Sequence, residues 1–128
     1  MTYHFSKTLS LPFDEAITRV TAALADKGFG VLTTIDVQAT MKKKLDVEFR
    51  PYTILGACNP QFAYKALQAE DKIGVMLPCN VIVQDKGDDK VEVSAVDPMS
   101  SMQAVENPAL GDVAATVTGL LREVIESL

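Results

Sequence analysis

The sequence predicts an α+β domain in which a mostly antiparallel sheet carries helices packed on one face, in the order β-α-β-β-α-β-β-α. Three observations predict it. Runs rich in β-branched residues are interleaved with runs whose apolar residues recur at helical spacing. Two asparagine-proline pairs, Asn59-Pro60 and Asn107-Pro108, mark helix starts. A polar turn cluster from Gln84 to Asp89 separates two apolar-alternating runs, which is a hairpin signal.

Tyr3, Phe5 and Leu9 share parity, with Lys7 between them, and read as a first strand. Pro12 opens a stretch in which Phe13, Ala16, Ile17, Val20, Ala23 and Leu24 keep helical spacing. Asp14 and Glu15 fall in its first turn, where the helix dipole favours carboxylates, and Gly28 is its natural stop. Phe29 to Val37 reads as the second strand, and Gln38 to Leu45 as a short helix or turn. The Lys42-Lys43-Lys44 run there reads as a solvated face, because Asp46 and Glu48 offset it.

Tyr52 to Ala57 is a short apolar run suited to a buried strand. Asn59 as N-cap and Pro60 as first helical residue then start a helix with Phe62, Ala63, Ala66 and Leu67 on one face, ending near Asp71. Ile73 to Val83 reads as a strand broken in two at Pro78, which cannot donate to a sheet ladder. Asn80–Val83 and Val91–Val96 pair as the hairpin. Asp97-Pro98 ends it, and Met99 to Glu106 is a linker. Beyond Asn107-Pro108, one face of a final helix is traced by Leu110, Val113, Val117, Leu121, Val124 and Leu128.

The chain has 128 residues, the size of one domain, so residues 1–128 are read as a single unit. Hydrophobic residues make up 48% and charged residues 23%, which is globular rather than disordered composition. A net charge of −5 leaves no surplus of cations to neutralise phosphates, which argues against nucleic acid and anionic membrane as partners. No apolar run approaches the ~20 residues needed to span a bilayer, and the first residues do not resemble a leader. A cytoplasmic location is expected, with both cysteines reduced.

Those cysteines stand in comparable settings, Gly56-Ala57-Cys58-Asn59-Pro60 and Leu77-Pro78-Cys79-Asn80. Cys58, just before a helix start, is the better nucleophile candidate, since the positive end of a helix dipole favours thiolate. The other reading is that both are small buried hydrophobes that only pack. No metal is expected: His4 is the sole histidine and there is no Cys-x-x-Cys pair, too few ligands for a closed zinc site within one chain. A Cys-His dyad requires the fold to bring His4 to a cysteine. Gly28-Phe29-Gly30 follows a helix and precedes a strand, the reverse of a dinucleotide loop, and no cofactor is expected.

Taken together, Gly28-Phe29-Gly30-Val31 with Ile35-Asp36-Val37, Tyr52 through Pro60, Leu77-Pro78-Cys79-Asn80-Val81 and Asp97-Pro98 resemble the domain-of-unknown-function family numbered 302. The resemblance implies an α+β fold similar to one half of the TATA-box-binding protein, and a homodimer. It carries over no catalytic residue, because the family has no settled reaction, but Cys58, Asn59, Pro60, Pro78 and Cys79 fall in its signature segments. The functional expectation is a small homodimeric binding or carrier protein for a sulfur species or a small apolar ligand. Its candidate ligand-binding residues are Tyr52, Cys58, Asn59, Pro60, Pro78, Cys79 and Asn80. The alternative is a non-catalytic protein-interaction module whose cysteines are structural. A third reading is an enzyme with a pocket near Tyr52, Asn59 and Asn80.

Overall fold

The computed structural model describes residues 2–128. Five strands, β1 (His4–Leu9), β2 (Gly30–Asp36), β3 (Tyr52–Cys58), β4 (Cys79–Gly87) and β5 (Lys90–Val96), form one sheet. Its order is β1-β5-β4-β3-β2, and every neighbouring pair is antiparallel. The helices are α1 (Phe13–Asp26), α2 (Val37–Leu45), α3 (Pro60–Ala69), α4 (Pro98–Ser101) and α5 (Gly111–Glu126), with 3-10 turns at Asp71–Met76 and Pro108–Leu110. The predicted α+β class and antiparallel sheet are what the chain forms.

Alternation along the strands decides which face is covered. Leu55 and Ala57, Val81 and Val83, and Val91, Val93 and Ala95 share one face and are buried against Ala16, Val20 and Leu24 of α1 and Val117, Leu121 and Val124 of α5. Phe5 and Leu9 extend that face onto β1. Lys7 has the same parity, and its side chain runs to the end of α5, where Nζ donates to the main-chain oxygens of Glu126 and Leu128. A cation is favoured at a helix C-terminus, so the one charged residue of the strand's inner face has its partner there.

The end of α1 is fixed by its own backbone. Gly28, at φ +86°, lets its N–H donate to Ala25 and the Phe29 N–H donate to Leu24, the two bonds of a Schellman motif. Leu24 and Phe29, both buried, form the apolar contact that accompanies it.

Three predicted elements differ. Asp71–Met76 is a 3-10 turn, so the expected Ile73–Val83 strand begins only at Cys79, after a cis Leu77–Pro78 bond. Ile73 is buried there with Ala66 and Leu110; a short apolar run does not distinguish a strand from a helical turn. The Met99–Glu106 linker contains α4, because Asp97 Oδ1 accepts from the Met99 N–H at 3.0 Å and from Thr118 Oγ1 at 3.2 Å. Much of the expected Gln84–Asp89 turn is strand. The reversal is made by Asp88 and Asp89 alone, both at positive φ, as a two-residue hairpin turn requires.

Elsewhere the readings hold with detail added. α2 is a helix, capped by Asp36, that buries none of its residues, and Lys42 bridges Asp46 and Glu48 at 2.9 and 3.1 Å on the solvated face. The helices that cover the core face are α1, α3 and α5.

Gly56 governs the approach of β2 and β4 to β3. A Cβ there would lie 2.1 Å from Thr33 Oγ1 and 2.8 Å from the Pro78 ring. Gly56→Ala is therefore expected to lower stability by about 1–3 kcal/mol, the range of overpacking. Adding Thr33→Ala should restore part of that loss in urea unfolding, whereas strictly additive effects would show that Thr33 is not the obstacle.

Candidate functional site

The β3–β4 register brings the two cysteines to the same end of the sheet. Ala57 is directly opposite Cys79, so Cys58, one residue further along β3, is offset by one position from Cys79. The two are close enough that a charge on the Cys58 sulfur acts on the Cys79 thiol. Cys58 is the last residue of β3, and the chain leaves it through Asn59 into α3. Cys79 is the first residue of β4, delivered by the Leu77-Pro78 corner that Gly56 admits. Both thiols are free and half-buried.

Both also line one apolar cavity of about 40 Å³, with Phe29, Phe62, Leu77 and Met102. It lies on a seam. On one side is the main core; on the other is a smaller cluster of Ala66, Ile73 and Leu110, with Leu77 and Met102 packed against it. No charged residue is on its wall, and Asn59 supplies the one side-chain amide. At ~10–15 Å³ per water the space holds a few water-sized groups, but with so few polar partners it favours a small apolar or polarisable occupant. A recess of about 220 Å³ adjoins it across Pro78 and Cys79, and Asn80 lines that recess rather than the cavity.

The other expected site residues divide. Asn59 occupies the N-cap position of α3, but its side chain caps nothing and instead lies where a Cβ on Gly28 would approach Nδ2 to 3.0 Å. Pro60 is the first residue of α3 and is absent from the cavity wall. Tyr52 lies at the far end of β3, opposite Gln84, in a group with Phe49 and Arg50. Six residues of strand, roughly 20 Å, separate it from Cys58, so a pocket shared by Tyr52, Asn59 and Asn80 does not form. His4 is on β1, two strands from the β4 of Cys79 and three from the β3 of Cys58, roughly 10 and 14 Å away, with Nδ1 on the Ser6 hydroxyl at 2.8 Å; no Cys-His dyad exists.

Burial pushes the Cys79 thiol up to about 11, and the charge of a Cys58 thiolate adds to the rise. In neutral solution Cys79 is therefore a neutral thiol, which leaves Cys58 as the candidate nucleophile of the pair. Among the described residues no group of three or more His, Cys, Asp or Glu is placed to hold a metal, and no helix is long and apolar enough to cross a membrane.

This geometry defines a five-stranded antiparallel α+β domain with a paired-cysteine cavity at one sheet end. The chain belongs to the family described as Domain of unknown function DUF302, whose model matches residues 5–128. It is similar to an uncharacterized conserved protein DUF302 from Bacillus stearothermophilus, whose crystal structure superposes with a TM-score of 0.89 at 28% identity over 98% of each chain. No protein of curated function matches it.

Sequence reasoning missed most of the cavity wall. Phe29, Leu77, Met102, Leu110 and Val113 read as ordinary apolar residues, and only the order of packing reveals that two clusters leave a gap between them. The proximity of the cysteines did have a signal, since an antiparallel partnership of their strands brings the end of one to the start of the next.

Folding raises the Cys79 pKa from 9.0 to about 11, so the native state prefers the neutral thiol. That contribution is intact below pH 9 and is lost as pH climbs through about 11. At two units it amounts to about 2–3 kcal/mol. Cys79→Ala should flatten the alkaline fall in unfolding free energy between these limits; an unchanged fall would assign it to other groups.

Proposed function

We propose that the chain is a small binding or carrier protein whose ligand, a sulfur species or small apolar molecule, occupies the cavity at Cys58 and Cys79. The observation that carries this reading is the convergence of both cysteines on one uncharged cavity. Sulfur is soft and weakly hydrated, and such surroundings suit it better than they suit an ion or a hydrogen-bonding substrate.

Cys58 accepts the sulfur. Its thiolate attacks the outer sulfur of a small-molecule persulfide R–S–S–H, the S–S bond of the donor breaks, and R–S⁻ leaves, giving Cys58–S–S–H with no change in total charge or electron count. Cys79, neutral and adjacent, borders the space that the extra sulfur occupies. Mass spectrometry of the intact protein after exposure to a low-molecular-weight persulfide tests it. Wild type and Cys79→Ala should gain the mass of one sulfur and Cys58→Ser should not. Equal labelling of Cys58→Ser, or none in wild type, would remove the carrier role.

A second reading rests on the other sheet face. Ile35, Ile54 and Ile82 are register partners across β2, β3 and β4 and lie outside the core, forming an apolar row. In that reading the row joins two copies in a homodimer and the cysteines only pack. Ile82→Lys should then convert a dimer to a monomer in size-exclusion chromatography with light scattering, while double Cys58→Ser, Cys79→Ser substitution leaves the dimer intact.

A further inference from the structure

The chain holds five methionines and two cysteines, and four of these seven sulfur residues meet at one corner of the fold. Cys58 is on the cavity side. Met76, Cys79 and Met102 line the adjoining recess, where they come from three separate elements: the 3-10 turn after α3, the start of β4, and the end of α4. Met76 is 38% exposed, so it is not a core gap-filler. Met102 closes α4, its N–H donating to the Pro98 carbonyl at 3.0 Å.

We propose that Met76, Cys79 and Met102 form a binding site for a monovalent soft cation, copper(I), in the recess beside the cavity. The ligand set selects the ion. Thiolate and thioether sulfur favour Cu(I), whereas carboxylate, carbonyl and imidazole favour harder or borderline divalent metals. No aspartate, glutamate or histidine lines the recess. Charge selects in the same direction: one thiolate and two neutral thioethers balance one positive charge, so the loaded site is neutral beside a wall whose polar side chains, Asn80 and Ser101, carry no charge, where a divalent ion would leave net charge. Binding exchanges the Cys79 thiol proton for the cation, Cu⁺ + R–SH giving Cu–SR + H⁺, with no redox step. The zinc logic of histidines and paired cysteines does not detect such a site, because it does not count thioethers.

The site shares Cys79 with the sulfur-carrier cavity but does not need Cys58, and the variants tell the two apart. An anaerobic titration of the intact protein with Cu(I) against a chromogenic Cu(I) chelator should give one tightly held ion per chain. Met76→Leu and Met102→Leu, close in volume to the native residues, should each weaken it by at least about tenfold, the effect that even outer-shell partners of a metal exert. Cys79→Ser should abolish it and Cys58→Ser should retain it. X-ray absorption of the loaded protein should show sulfur neighbours only. The proposal is overturned if both leucine variants bind as wild type does, if nitrogen or oxygen neighbours dominate, or if Zn(II) competes equally. Loss of the ion in Cys58→Ser would also overturn it, in favour of a dithiolate site inside the cavity. Circular dichroism of each variant identifies any that fail to fold, and Cys79→Ala then replaces Cys79→Ser.

Discussion

Where β3 runs past β4, Gly56 lies opposite Asn80 with no side chain of its own, and the Thr33 hydroxyl and the Pro78 ring close over the gap. That close approach fixes the Leu77-Pro78 corner against the sheet, and the corner fixes where β4 begins. Because the pairing is antiparallel, the beginning of β4 is also the end of β3. Cys79 and Cys58 are neighbours for that reason alone, with about 20 residues of chain, α3 and a 3-10 turn between them. A methyl group at position 56 would touch the strand pairing, the corner and the thiol pair at once.

The cavity follows from how the layers are assembled. α1 and α5 seal the central strands with branched residues, while α3 is held mainly through Ala66 and its contacts with Ile73 and Leu110. Where the two clusters meet, four alanines, Ala57, Ala63, Ala66 and Ala114, contribute to the wall. An unfilled volume of 40 Å³ costs about 1 kcal/mol at the usual penalty for apolar voids. The fold tolerates that easily, and small residues rather than rigid strain keep the space open. Asn107 steadies the far side by donating to the Ala69 carbonyl at 2.8 Å and accepting from the Ala109 N–H, which joins the end of α3 to the approach of α5.

The sheet and its main helices were legible because their signals are local. Alternation in Val91–Val96, helical spacing in Leu121, Val124 and Leu128, and the glycine at the end of α1 each act within a few residues. Ile73 was misread for want of periodicity, since a turn of helix and a short strand bury one isoleucine equally well. Asn59 was placed correctly and given the wrong role, as its position follows from Pro60 but its side-chain partner depends on Gly28, a residue of another element. Tyr52 was grouped with the cysteines by nearness in sequence, and strand rise carried it to the opposite end of β3. The soft-ligand recess is a tertiary fact: nothing in the spacing of residues 76, 79 and 102 anticipates that they share a wall.

Phe29 belongs to two structures at once. Its ring is part of the cavity wall, and its backbone N–H closes the last hydrogen bond of the Schellman motif on α1. An occupant pressing on the ring acts on the end of that helix, so the amides of Gly28 and Phe29 become a gauge of whether the interior is filled. A slowing of deuterium uptake at those two positions when an occupant is added, with uptake at the hairpin tip unchanged, would report occupancy from the backbone itself, with no label attached to either sulfur.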